Sequence, residues 1–64
     1  MKVVLPDKNI KTIDFTSVSI EQILLDLGIN PLEVIVSRNG TLVSEDMIVG
    51  NDDEIQIIRI AHGG

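Results

Sequence analysis

An α+β fold, one helix lying across one face of a mixed sheet, is the class this 64-residue sequence predicts, and three observations predict it. One segment, Ser19 to Leu27, repeats apolar residues at helical spacing between a start signal and a stop signal. Apolar runs of strand length flank it on both sides, punctuated by turn residues. The last of these runs, Glu54 to Ile60, is apolar at both parities, which suits a strand in the middle of a sheet.

The elements follow in order. Met1 to Leu5 reads as a short strand, with Val3 and Leu5 on one face and Lys2 and Val4 on the other. Pro6-Asp7-Lys8-Asn9 is turn chemistry, because Pro fixes φ while Asp and Asn tolerate tight turns. Ile10 to Phe15 returns as the second arm of a hairpin, with Ile13 and Phe15 directed inward. Ser19-Ile20-Glu21-Gln22 fits a capping box, Ser19 accepting from the Gln22 amide and the Gln22 side chain reaching back. Val18 and Ile23 are spaced for the accompanying hydrophobic staple. Ile20, Ile23, Leu24 and Leu27 form the apolar stripe, and Leu25 falls beside it as a flank contact. Gly28 sits where a left-handed residue ends a helix, and Pro31 blocks continuation. Val34 to Arg38 and Thr41 to Val43 form a second hairpin around Asn39-Gly40, the strongest short hairpin signal. Ser44 to Gly50 is irregular, with room for one helical or 3-10 turn, and Met47, Ile48 and Val49 cover the core edge. Asn51-Asp52-Asp53 turns the chain into the last strand.

The order β-β-α-β-β-β, closed by a strand apolar on both faces, places that strand centrally, beside the first and parallel to it. This is the β-grasp, or ubiquitin-like, arrangement. Residues 1–64 make a single domain, with residues 61–64 expected to be a flexible tail ending Gly-Gly.

Composition narrows the function. Ten acids against five bases give a net charge of −5. That disfavours nucleic acid, whose affinity comes largely from phosphate neutralisation, and favours basic protein surfaces. The absence of cysteine removes disulfides and thiolate metal sites. No apolar run approaches the roughly 18 residues of a membrane span and no signal-peptide pattern opens the chain, so no membrane partner and a cytoplasmic location are expected. No bound cofactor is expected, and a monomer when free.

The reactive candidate is the tail. Glycine has no Cβ, so Gly63 and Gly64 can pass through a slot that excludes other dipeptides, although two glycines alone are equally a floppy end. Ala61 to Gly64 extend about 13 Å, enough to enter another protein's site. Beside the tail, Ile58 and Ile60 have a parity opposite to Ile55 and Ile57, and Val4 shares that outward parity. The third strand adds one surplus apolar class, either Ile35 or the Val34/Val36 pair. Clustered, these residues make a protein-binding surface; scattered, they are ordinary surface aliphatics. Asp52, Asp53 and Glu54 lack the alternating spacing of a calcium loop and read as a solvated turn, so no metal site is expected. His62 is a lone imidazole on the tail with no spaced catalytic partner, and its functional alternative is a contact in a partner's channel. Arg38 and Arg59 either meet an acidic partner or solvate a turn and a strand end.

Val36-Ser37-Arg38-Asn39-Gly40, the run Val49 to Ile58 and the Gly63-Gly64 end together resemble the ThiS/MoaD family of ubiquitin-like sulfur carriers across the whole chain, and its length resembles the ThiS type more. The sequence departs from the family pattern at His62 and Arg59. The resemblance implies a carrier rather than an enzyme. The Gly64 carboxylate would be adenylated with ATP by an E1-like (ThiF/MoeB-type) adenylyltransferase and then converted to a thiocarboxylate. Its sulfur would pass to a synthase such as a thiazole synthase, in thiamin or related cofactor biosynthesis. Val4, Ile58, Ile60, Ala61 and His62 would meet the partner, with Gly63 and Gly64 the reacting end. Two rivals share the sequence: a ubiquitin-like modifier joined to lysines through the same Gly-Gly, and a β-grasp interaction module with an incidental terminus.

Overall fold

The computed structural model describes residues 1–14 and 16–60. The inward placement expected of Phe15 and the whole of the tail lie outside the described residues.

The first hairpin joins β1 (Lys2–Val4) to β2 (Ile10–Thr12) in antiparallel register, with Val4 opposite Ile10. Its turn closes where the Lys8 N–H donates to the Leu5 carbonyl at 2.9 Å. Asp7 accepts from the Asn9 backbone at 3.0 Å and side chain at 2.9 Å. Lys8 takes the left-handed conformation that tightens this loop, with φ 75°. Both strands are shorter than the sequence pattern, and Ile13 lies just past β2, half-buried against the core.

The helix α1 spans Ile20–Asp26. Ser19 caps it, its Oγ accepting from the Gln22 N–H at 3.1 Å. The reciprocal half of the capping box is not made: Gln22 Nε2 donates to Asp26 Oδ1 at 2.9 Å instead. The Ser19 backbone already lies in a two-residue ladder of β3 (Val18–Ser19) with β6 (Ile48–Val49). At the other end Gly28 has φ 74°, and Ile29 N–H and Gly28 N–H donate to the Leu24 and Leu25 carbonyls at 2.8 and 3.0 Å. That is a Schellman ending, with glycine in the position that needs it.

The segment from Ser44 to Gly50 makes one i→i+3 hydrogen-bonded turn, Met47 N–H donating to the Ser44 carbonyl at 3.1 Å, too short for a 3-10 helix. Its Met47 and Glu45 carbonyls accept from the first helix amides, Ile20 and Glu21, each at 3.0 Å. Carbonyls turned toward α1 satisfy donors that a helix start leaves open, so they are not spent on a turn of their own. Strand alternation in β6 then buries Val49 but leaves Ile48 exposed, so of the three residues expected over the core edge only Val49 is fully inside. A 3-10 helix lies instead at Pro31–Glu33, capped by Asn30, whose Oδ1 accepts from Leu32 N–H at 3.0 Å. Leu25 remains exposed.

β4 (Val34–Arg38) and β5 (Thr41–Val43) meet at Asn39 and Gly40, with φ 51° and 88°, the two positive values that a type I′ turn requires. β7 (Glu54–Arg59) runs parallel to β1 and antiparallel to β4, giving the order β2-β1-β7-β4-β5. The last strand is therefore central, as its two-sided apolar pattern requires. On the helix side Val3, Ile20, Ile23, Leu24, Ile55 and Ile57 are fully buried, joined by Met1, Val34, Val36 and Val49. One mixed sheet and one helix across it make a β-grasp fold.

Candidate functional site

Strand register decides what the uncovered sheet face presents. Ile35 sits opposite Ile58, while Val34 and Val36 turn inward to the core. This settles the surplus of the third strand in favour of Ile35. Ile35, Ile58 and Ile60 are 41%, 38% and 40% exposed, respectively, on the face opposite the helix. Residues of the central strands open to this extent mark a face that none of the described residues covers. Val4 shares the face but is half-buried and pairs with Gln56, so the Ile35–Ile58 pair rather than Val4 lies at its centre. Ile10 and Leu42 extend the same face on the edge strands, opposite Val4 and Ser37. Sequence parity misses these two, because which strands share a face depends on register.

Ile60 is the last described residue, and its N–H donates to the Glu33 carbonyl at 2.9 Å. The backbone is thus held by pairing up to the root of the tail. Ala61, His62, Gly63 and Gly64 lie outside the described residues. Arg59 has the inward parity of Ile57 and approaches Glu33 at 3.8 Å, an exposed pair of small energetic weight.

At the opposite end of β7, Asp53 ties the turn before the strand to the second hairpin. Its Oδ1 accepts from Arg38 Nε at 3.0 Å and Asn39 Nδ2 at 3.1 Å, and its Oδ2 from Gly50 N–H at 2.8 Å. Asn39 completes the link, accepting from Glu54 N–H at 2.9 Å and donating its own N–H to the Glu54 carbonyl at 2.8 Å. The reading of Asp53 as a solvated turn residue is corrected: both carboxylate oxygens have protein donors, and the Arg38 head group is one of them. Among the described residues no cluster of His, Cys, Asp or Glu could hold a metal ion.

The Gly50 N–H holds the Asp53 carboxyl below its ordinary pKa, against the opposing effect of desolvation, with Asn39 and Arg38 adding to the lowering. Because the folded group is the stronger acid, its contribution to stability is complete above the unfolded carboxylate value of about 3.9. It fades as pH falls from there through the lowered folded value. Asp53→Asn is therefore expected to lower the melting temperature at pH 7 and to lose less further stability than the native chain on acidification to about pH 3. Parallel melting curves at the two pH values check this; equal acid sensitivity would remove Asp53 from the account.

The fold defines a class: a small ubiquitin-like β-grasp domain. The ThiS family matches residues 7–64, and the chain belongs to that family. Its members are small ubiquitin-like sulfur-carrier proteins, not enzymes, that interact with E1-like activating enzymes and with sulfur acceptors. No curated protein matches the chain. Among the described residues no helix is long and apolar enough to cross a membrane.

Proposed function

We propose that the chain carries sulfur on the carboxyl group of Gly64. The carboxylate oxygen attacks the α-phosphorus of ATP in an E1-like partner, and pyrophosphate leaves. The outer sulfur of a persulfide donor then attacks the acyl carbon and AMP leaves, giving an acyl disulfide; a thiol reductant cleaves its S–S bond, leaving the Gly64 thiocarboxylate and a disulfide between the reductant and the donor. That group is the nucleophile delivered to an acceptor synthase, in thiamin or related cofactor biosynthesis. The carrier supplies reach, slenderness and docking, and the partner supplies the nucleotide and the catalytic groups.

The observation that supports this reading is the placement of β7. It is the central strand, it is paired through Ile60, and its outward residues Ile58 and Ile60 flank the root of the Gly-Gly end. A docking face beside a narrow terminus suits insertion of that terminus into another protein. Ile58, Ile60 and Val4 would form the docking face together with Ile35, while Ala61 and His62 would line the partner's channel.

Incubation with a candidate activating enzyme, ATP and a persulfide donor, followed by intact-protein mass spectrometry, tests the proposal. A gain equal to one sulfur-for-oxygen exchange, absent or strongly reduced in Gly64→Ala, is expected. Normal activation of Gly64→Ala would overturn the narrow-slot argument. Gly-Gly remnants on substrate lysines without any thiocarboxylate would make the chain a modifier instead.

A further inference from the structure

On the helix side of the sheet, against the root of the tail, lies an open cleft of about 440 Å³. Leu5, Leu27 and Ile29 supply its apolar lining, and each also packs against the core cluster, so the floor is a fixed part of the domain. Pro6, Asp7, Lys11 and Arg59 complete the lining. The Asp7 carboxylate is engaged by Asn9, whereas the Arg59 side chain is 61% exposed and, among the described residues, approaches Glu33 at 3.8 Å. The cleft therefore combines an apolar floor with two accessible cations, in a chain whose net charge is −5. Lys8 stands in the adjoining turn, so this corner holds three of the five bases, against the carboxylates of Asp7 and Glu33.

We propose that this cleft is a second docking site, taking from a partner protein a segment in which an apolar side chain is flanked by carboxylates. The apolar residue would rest on Leu5, Leu27 and Ile29, and the acids would face Lys11 and Arg59. Charge complementarity selects this occupant. The acidic surface elsewhere attracts basic partner surfaces, whereas this corner attracts the opposite sign. The cleft volume falls within the range of pre-formed ligand sites and accommodates an anchoring side chain. Arg59 and Ile58 are successive residues of β7 and leave the sheet on opposite faces. A protein that grips the tail root can thus be read on both sides of one strand: apolar contact on the Ile35–Ile58 face, apolar plus acidic contact in the cleft. The inference rests on the reading that the tail is presented to partners.

The test is a titration of the isotope-labelled full chain with the peptide acetyl-Asp-Leu-Phe-Asp-amide, followed by amide chemical shifts. Saturable shifts at Leu5, Lys11, Leu27 and Ile29 are expected, with little movement at Ile35 or Ile58. Lys11→Glu should weaken binding about fivefold or more and shift preference to acetyl-Lys-Leu-Phe-Lys-amide, while Lys11→Arg keeps the native preference. Shifts centred on the Ile35–Ile58 face, or binding indifferent to the peptide's charge, would overturn the assignment. So would movement of the Gly63 and Gly64 amides in free Lys11→Glu, because the chain's own tail would then be the occupant. The mass-spectrometric assay of Gly64 is independent of these shifts, so failure of the cleft and failure of the sulfur-carrier reading are separately visible.

Discussion

Ile58→Asp is expected to weaken binding to the activating enzyme by about thirtyfold or more, the loss typical of an interface hot spot of 2 kcal/mol or above. Ile58 lies on the central strand yet is 38% exposed, facing away from the core that Ile55 and Ile57 complete. A carboxylate there leaves the buried set intact, so folding should lose only about 1 kcal/mol, the scale of strand propensity. At the proposed interface the same carboxylate must be desolvated against Ile35 and the partner. Binding measured beside thermal unfolding separates the two effects. A melting temperature that collapses while affinity per folded molecule is unchanged would show that Ile58 serves the core instead.

Gly50→Ala is expected to act on folding, through a contact that an added Cβ would make tighter than most real packing. A Cβ at Gly50 would stand 3.0 Å from the carbonyl oxygen of Thr16. The obstacle is backbone, so it has no rotamer to give way, and the Gly50 N–H is simultaneously committed to Asp53 at 2.8 Å. Relieving the clash moves either the segment entering α1 or the Asp53 link. Overpacking of this kind costs about 1–3 kcal/mol. In a domain this small each kcal/mol moves the melting temperature by several degrees, so a drop of about 10 °C is expected by calorimetry. An unchanged melting temperature would mean that the 16–18 segment relaxes freely.

The features legible in the sequence are those whose cause is local. Ser19 caps because its hydroxyl meets an amide three residues on, and Gly28 ends the helix because the next step needs positive φ. Asn39-Gly40 folds tightly for the same conformational reason. The central place of β7 was legible from parity, since a strand apolar on both faces has no other stable position. What escaped depends on pairings between distant residues. β3 and β6 are two residues each, too short for any periodicity, and exist because the start of α1 needs acceptors. Asp53 reaches Arg38 and Asn39 across 15 and 14 positions, and nothing in an Asp-Asp-Glu run distinguishes a solvated carboxylate from a triply bonded one. Likewise Ile10, Ile35 and Leu42 join Ile58 on one face only once register is fixed. The cleft draws its lining from the first hairpin, the end of α1 and β7, so no stretch of sequence announces it.

The parallel pairing of β1 with β7 sets Lys2 beside Glu54 and Val3 beside Ile55, bringing nearly opposite ends of the chain together. The two most buried strand positions, Val3 and Ile55, therefore cannot meet until the final strand has been synthesised and threaded between β1 and β4. Such long-range closure is slow relative to helix and hairpin formation, and it makes β7 the keystone of assembly. Before it closes, Ile58 and Arg59 have no sheet to be displayed on, and neither the apolar face nor the cleft exists. On the proposed docking, recognition of the tail root would also be a test of maturity, since a partner that reads both sides of β7 would engage only chains whose folding is finished.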